Sequence, residues 1–189
     1  MLHALLLSFG VIFIAEMGDK SQLMALAFAT RFRTLPVLVA ITLATGVVHL
    51  LSVALGGFVG NALPTRTIGV ISGLAFLAFA VWTYRGDKLT DEDEESTHIS
   101  SRHIIMAVGT VFFMAELGDK TMLATVTLAT KDDLFGTWAG STAGMVVADA
   151  IAIWVGKKLG ERLPENGIRI GASLAFLGFG IWMLVDALG

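Results

Sequence analysis

Six apolar runs constrain this chain more than any other feature of its sequence. They lie at about 4–29, 35–59, 67–84, 104–130, 134–156 and 167–188. An α-helix needs about 20 apolar residues to cross the hydrocarbon core of a membrane, whereas a transmembrane β-barrel would show short alternating segments. Only 15% of the residues are charged, and the first run lacks the basic start and cleavage site of a secretory signal. The runs therefore predict an all-α integral membrane protein with six transmembrane helices.

A shift of one hundred positions aligns the two halves of the chain without a gap. Eleven of twenty-eight positions are identical between 3–30 and 103–130, and Leu63-Pro64 matches Leu163-Pro164. Each half holds three spans, and an odd number of spans forces the second half to insert upside down. Two such inverted repeats are typical of transporters. We expect a first repeat at 1–84, a linker at 85–102 and a second repeat at 103–189.

The loops between the runs predict the orientation in the membrane. Lys and Arg are enriched in cytoplasmic loops. One side has two of them, at Arg66 and Lys131, and the other side has nine: Arg31, Arg33, Arg85, Lys88, Arg102, Lys157, Lys158, Arg162 and Arg169. Both termini should thus lie outside the inner (cytoplasmic) membrane, with the acidic linker 85–102 in the cytoplasm. That linker is either a plain hydrophilic connection or a regulatory, cation-collecting segment.

Charged motifs interrupt the first and fourth runs near their centres. Residues 16–21 read EMGDKS and residues 116–121 read ELGDKT. An Asp at such a depth costs roughly 2.5–3.5 kcal/mol if it faces lipid, so the four carboxylates must face each other or water. On a continuous helix, residues three apart share a face, which would place Glu16 beside Asp19. Gly18 would allow close helix approach and local unwinding.

Carboxylates that meet at mid-membrane would form an oxygen-rich site for a hard divalent cation such as Ca²⁺ or Mn²⁺. Carboxylates crowded away from water also favour protonation when no cation is bound, so proton and metal would compete. That competition is the minimal chemistry of a metal/proton antiporter. The alternative is that each acid only pairs with a lysine to hold helices together. The predicted ligands are Glu16, Asp19, Glu116 and Asp119; Ser21 and Thr121 could add hydroxyls, and Lys20 and Lys120 bring the formal charge to −2.

Two further ionisable residues occupy equivalent places in the second spans of the two halves. His49 could relay protons or add a nitrogen ligand, and Asp149 could take part in proton release, because ionisable residues inside a membrane are functional candidates. Either could instead form a hydrogen bond between helices. Gln22 and Met122 also differ between the halves, one turn after the acids, where they could tune selectivity or simply pack.

The paired E-x-G-D-[KR]-[ST] motifs resemble those of the Golgi-type Ca²⁺/Mn²⁺ cation/proton antiporter family. That family includes bacterial manganese exporters and is related to the calcium/cation exchanger superfamily. The resemblance covers essentially the whole chain. It implies that the four motif carboxylates bind the transported ion and that alternating access moves it against protons. We therefore expect a secondary active antiporter that exports Mn²⁺ from the cytoplasm, with Ca²⁺ as the alternative substrate.

Other classes of protein fit the sequence less well. The rivals are a divalent-cation channel, a non-transporting membrane scaffold and a membrane-embedded enzyme. The chain contains no nucleotide-binding G-x-x-x-x-G-K-[ST] loop, no HExxH motif and no Cys, which argues against ATP-driven pumping and thiolate metal sites. We expect no enzyme activity, no cofactor and no nucleic-acid partner. The expected partners are divalent ions, protons and the lipid bilayer, and a homo-oligomer is left open.

Overall fold

The computed structural model describes residues 1–85, 104–159 and 165–189. These residues form eight α-helices and no strand, which confirms the all-α prediction; nearly all of the linker lies outside the described residues. The helices are α1 (Leu2–Glu16), α2 (Lys20–Arg31), α3 (Thr34–Ala62), α4 (Thr65–Arg85), α5 (Ile104–Glu116), α6 (Lys120–Ala129), α7 (Leu134–Leu159) and α8 (Glu165–Leu188).

The helix breaks at each charged motif. Gly18 has φ 75° and Gly118 has φ 85°, the only positive φ angles among the described residues. The aspartate that follows each glycine is extended, with ψ of 164° at Asp19 and 167° at Asp119. α1 and α2 consequently meet at an angle of 76°. The expectation that Glu16 and Asp19 share one face of a continuous helix was wrong, because the left-handed glycine and the extended aspartate interrupt the helical hydrogen bonds. The local unwinding that Gly18 would allow is present in the structure.

Several helices are long and apolar enough to cross a membrane. Among the residues that the structure describes, four meet this description by themselves, within α3, α4, α7 and α8, and the bent pair α1–α2 would make a fifth span. The remaining predicted run, 104–130, is divided between α5, a shorter apolar helix of 13 residues, and α6, of 10 residues. The chain is thus a multi-pass membrane protein.

The two halves of the chain interlock through reciprocal contacts. α1 and α2 pack against α7 of the second half, and α5 and α6 pack in the same way against α3 of the first half, while α4 packs against α8. Glycines permit the closest approach: a Cβ at Gly144 would lie 2.6 Å from the carbonyl oxygen of Phe9. Aromatic rings fill the α4–α8 interface, where the ring centroids of Phe76 and Phe179 are 4.8 Å apart.

The loops lie at opposite ends of α7, and both chain termini lie at one of these ends. Near its first residues, His3 Nδ1 lies 3.4 Å from Asp132 Oδ1. A neighbouring cavity of about 400 Å³ is lined by Arg66, Lys131 and the C-terminal residues. Near its last residues, Lys157 Nζ donates a hydrogen bond of 2.6 Å to Thr34 Oγ1, at the start of α3. Both chain termini and the loops before α4 and α7 therefore share one end of the molecule.

Candidate functional site

The motif glutamates are the last residues of α1 and α5, and both are buried. Ser21 Oγ donates a hydrogen bond to Glu16 Oε1, and Thr121 Oγ1 donates one of 2.9 Å to Glu116 Oε2. The second oxygen of each carboxylate, Glu16 Oε2 and Glu116 Oε1, has no hydrogen-bond partner in the described part of the chain. Each glutamate therefore has one oxygen fixed by a hydroxyl group and one that can accept a further ligand.

The motif aspartates and lysines form crossed ion pairs between the halves. Lys120 Nζ donates a hydrogen bond to Asp19 Oδ1, and Lys20 Nζ lies 3.9 Å from Asp119 Oδ1. The pairs differ in exposure, since the Lys20 side chain is 22% exposed and the Lys120 side chain only 3%. Because each lysine reaches the aspartate of the other half, the two helix breaks are tied together.

Gln22 and Met122 support the two breaks differently. The Gly18 N–H donates a 2.8 Å hydrogen bond to Gln22 Oε1, and Gln22 Nε2 donates one of 3.1 Å to the carbonyl oxygen of Ala148 on α7. In the second half the Gly118 N–H donates to Met122 Sδ at 3.1 Å, and a thioether is only a weak acceptor. The first break is thus linked to α7 through a polar bridge that this side chain in the second half cannot form.

His49 on α3 and Asp149 on α7 are both buried. His49 Nδ1 lies 3.4 Å from Thr142 Oγ1, a contact between α3 and α7 that fits the helix-joining alternative. Neither oxygen of Asp149 has a hydrogen-bond partner among the described residues, although its carboxylate is within electrostatic reach of Asp19. A buried, unsatisfied carboxylate is costly, so a cation or a proton at Asp149 would stabilise it.

The four carboxylates do not form a ready-made metal cage in this structure. No group of three or more His, Asp or Glu side chains within the described ranges is arranged to hold a metal ion. The crossed lysines hold the two aspartates instead. Glu16 nevertheless interacts electrostatically with Glu116, Asp19 and Asp149. Their role as ligands remains a prediction, and it requires the side chains to rearrange.

Three buried hydroxyl groups on α1 and α7 were not predicted from the sequence. Ser8 lies on α1, Thr137 and Ser141 lie on α7, and none of the three hydroxyls has a hydrogen-bond partner in the part of the chain that the structure describes. Thr137 and Ser141 are four residues apart, which places them on one face of α7. Hydroxyl residues at helical spacing inside an apolar run were the available signal.

Comparison with known proteins identifies the family. A sequence model described as "Divalent cation/proton antiporter GDT1" matches residues 4–91 and 104–189. The "Putative manganese exporter" of Vibrio cholerae serotype O1 is 36% identical over 171 residues, which cover 89% of this chain and 84% of that protein. GDT1-like protein sll0615 of Synechocystis is 29% identical over 90% of this chain and 91% of its own length.

More distant relatives occur in plants. Protein PAM71 of Arabidopsis thaliana chloroplasts is 29% identical over 91% of this chain, which spans about half (54%) of that protein. No solved structure matches the chain significantly. The family match extends over both halves and includes both charged motifs. The chain belongs to the GDT1 family of divalent cation/proton antiporters, which are transporters rather than enzymes.

Proposed function

We propose that this protein is a secondary active antiporter that exports Mn²⁺ from the cytoplasm in exchange for protons, with Ca²⁺ as the alternative substrate. The observation that carries the proposal is the pair of buried glutamates, Glu16 and Glu116. Each ends a broken helix, each comes from a different half, and each has one carboxylate oxygen without a hydrogen-bond partner among the described residues. Family membership and the name of the Vibrio relative support this choice of ions.

The helix breaks provide the chemistry that a hard cation needs. Carboxylate oxygens are the preferred ligands of Ca²⁺ and suit Mn²⁺. The C-terminal ends of α1 and α5 add the partial negative charge of their unsatisfied carbonyl groups. A cation between the halves would draw Asp19 and Asp119 away from the lysines towards the glutamates. The metal ligands would then be the four carboxylates, with Ser21 and Thr121 holding the glutamates in place.

Charge balance favours alternation between a metal and protons. Four carboxylates and two lysines give the two motifs a formal charge of −2. One divalent cation or two protons would bring that charge to zero, and a neutral site avoids the cost of moving charge through a low-dielectric region. We therefore expect metal and protons to occupy the site in turn.

The proposed membrane topology is six spans arranged as two inverted repeats, with 1–84 and 103–189 as the repeats. Two observations support it. The packing of α1–α2 on α7 is matched by the packing of α5–α6 on α3, as a two-fold axis requires. In addition, His3 and Asp132 meet at one end of α7, while Lys157 and Thr34 meet at the other. With Lys and Arg counted on each side, both termini lie outside the inner membrane and the linker 85–102 is cytoplasmic.

Transport by purified protein in liposomes tests the proposal. A pH-sensitive dye is trapped inside, Mn²⁺, Ca²⁺ or Mg²⁺ is added outside, and proton movement is recorded for the wild type, Glu116→Gln and Asp19→Asn. Asp132→Asn serves as a control, because this acid lies on the loop before α7, away from the motifs. We expect metal-dependent proton release in the wild type and the control, and its loss in both motif variants.

Other outcomes identify the rivals. Metal entry without proton movement would show a channel, and no response to any ion would favour a scaffold. The direction of transport needs intact cells. Expression of the wild type in cells that lack other manganese exporters should lower intracellular Mn²⁺, whereas expression of Glu116→Gln should leave it high.

A further inference from the structure

The crossed lysines point to a role beyond charge balance. We propose that Lys20 and Lys120 are built-in competitors of the transported cation: each ammonium group holds an aspartate of the opposite half, and the cation must displace it to bind. This inference rests on the proposed function, because it concerns the same ion site. It assigns the motif lysines a part in setting metal affinity.

The contact at Asp19 shows why lysine and metal exclude each other. Lys120 Nζ donates directly to Asp19 Oδ1, with 3% of the lysine side chain and none of the aspartate side chain exposed. A divalent cation such as Ca²⁺ binds carboxylate oxygens at about 2.3–2.6 Å. It would draw on the negative charge of the same carboxylate, and it would repel the ammonium group. The two cations therefore compete for this carboxylate.

Burial makes the competition effective. An ammonium group removed from water is stable only when it is paired, so the ion pair between Lys120 and Asp19 is strongly favoured. Lys20 is held less firmly, because it is 22% exposed and its Nζ lies 3.9 Å from Asp119 Oδ1. The cation should therefore displace Lys20 more easily than Lys120.

The difference between the pairs separates competition from an effect of the total charge alone. Each lysine carries one positive charge, and the two occupy equivalent positions in the repeat. Removing either one would strengthen cation binding equally if only the overall charge of the site mattered. Direct competition predicts unequal effects, with the larger one at the tightly held Lys120.

The size of the effect follows from the fraction of molecules that can bind. An observed Kd equals the intrinsic Kd divided by the fraction in the binding-competent state. If the ammonium group of Lys120 is bound to Asp19 in about nine molecules out of ten, removal of that group lowers the Kd for the metal about tenfold. Lys120→Met keeps much of the side-chain length without the charge, and Lys120→Arg keeps the charge.

The test is equilibrium binding of Mn²⁺ to the purified full chain, with free Mn²⁺ measured by electron paramagnetic resonance. The variants are Lys120→Met, Lys20→Met and Lys120→Arg. Lys158→Met is the matched control, since that lysine lies near the end of α7, over the Trp154 ring. We expect a lower Kd for Lys120→Met, by about tenfold at that occupancy, and a smaller decrease for Lys20→Met. We expect no decrease for Lys120→Arg, which keeps the positive charge, and the wild-type value for the control.

Two results would overturn the competition. One is weaker Mn²⁺ binding by a Lys120→Met protein that elutes as a folded, monodisperse species. The other is equal tightening by Lys120→Met and Lys20→Met. If Lys120→Met does not fold, Lys20→Met decides: binding tighter than in the wild type supports the inference, and unchanged or weaker binding refutes it. A wild type that binds neither Mn²⁺ nor Ca²⁺ would overturn the proposed function as well.

Discussion

Gly118 offers a quantitative test of the helix break that carries the second motif. Its φ is +85°, and a Cβ added to it would meet nothing within 4 Å. The cost of Gly118→Ala is therefore a backbone cost, about 1–2 kcal/mol for an L-residue in the left-handed region. The smaller conformational entropy of the unfolded alanine chain offsets roughly 0.4–1 kcal/mol of this. We expect a net loss of about 1 kcal/mol in the free energy of unfolding.

Gly109→Ala is the matched control, because it makes the same chemical change within α5. Its Cβ would lie 3.6 Å from the Ala40 carbonyl oxygen, an ordinary contact, and alanine in a helix interior stabilises by roughly 0.5–1 kcal/mol. The two variants should thus shift stability in opposite directions. At about 2–4 °C per kcal/mol for a chain of this size, thermal unfolding in detergent should separate them by about 5 °C. A Gly118→Ala protein as stable as Gly109→Ala would refute the left-handed break.

Three more substitutions test other parts of the structure. Gly144→Ala should destabilise the protein by roughly 1–3 kcal/mol through overpacking, since its Cβ would lie 2.6 Å from the carbonyl oxygen of Phe9. The control is Gly46→Ala, whose Cβ would meet nothing within 4 Å, and thermal unfolding compares the two variants. Gln22→Leu removes two hydrogen bonds and should cost about 1–2 kcal/mol in chemical denaturation. Asp149→Asn should raise the melting temperature at alkaline pH, because it removes a buried charge, and should lower Mn²⁺-dependent proton flux; unchanged flux would exclude Asp149 from the ion path.

The sequence predicted the helices better than their interruptions. Apolar runs report how much of a segment can be buried, and the structure confirms helices in the described part of all six runs. They do not report backbone dihedral angles, so they predict spans at 4–29 and 104–130 without showing where a helix breaks. The only local signal of the breaks was the glycine of each motif, and glycine is also common inside transmembrane helices. The left-handed conformation of Gly18 and Gly118 shows that these two glycines interrupt their helices.

The partners of the charged residues could not be predicted from either motif alone. Sequence spacing places each Lys next to the Asp of its own motif, yet Lys120 bonds to Asp19 and Lys20 approaches Asp119. The choice of partner depends on how the halves pack, which is a long-range property. The internal repeat did indicate that an interaction made by one motif can have a counterpart made by the other. The crossed ion pairs are such counterparts.

The order of residues in the motif explains how the two copies are linked to each other. The glutamate ends a helix, the glycine turns the chain, the aspartate extends it, and the lysine begins the next helix and reaches across to the other half. A movement that frees Asp19 must displace Lys120, and Lys120 belongs to the same break as Glu116 and Asp119. The motif side chains in one half therefore cannot be rearranged without disturbing the break in the other. Such a linkage couples the conformations of the two halves, and the proposed alternating access requires this coupling.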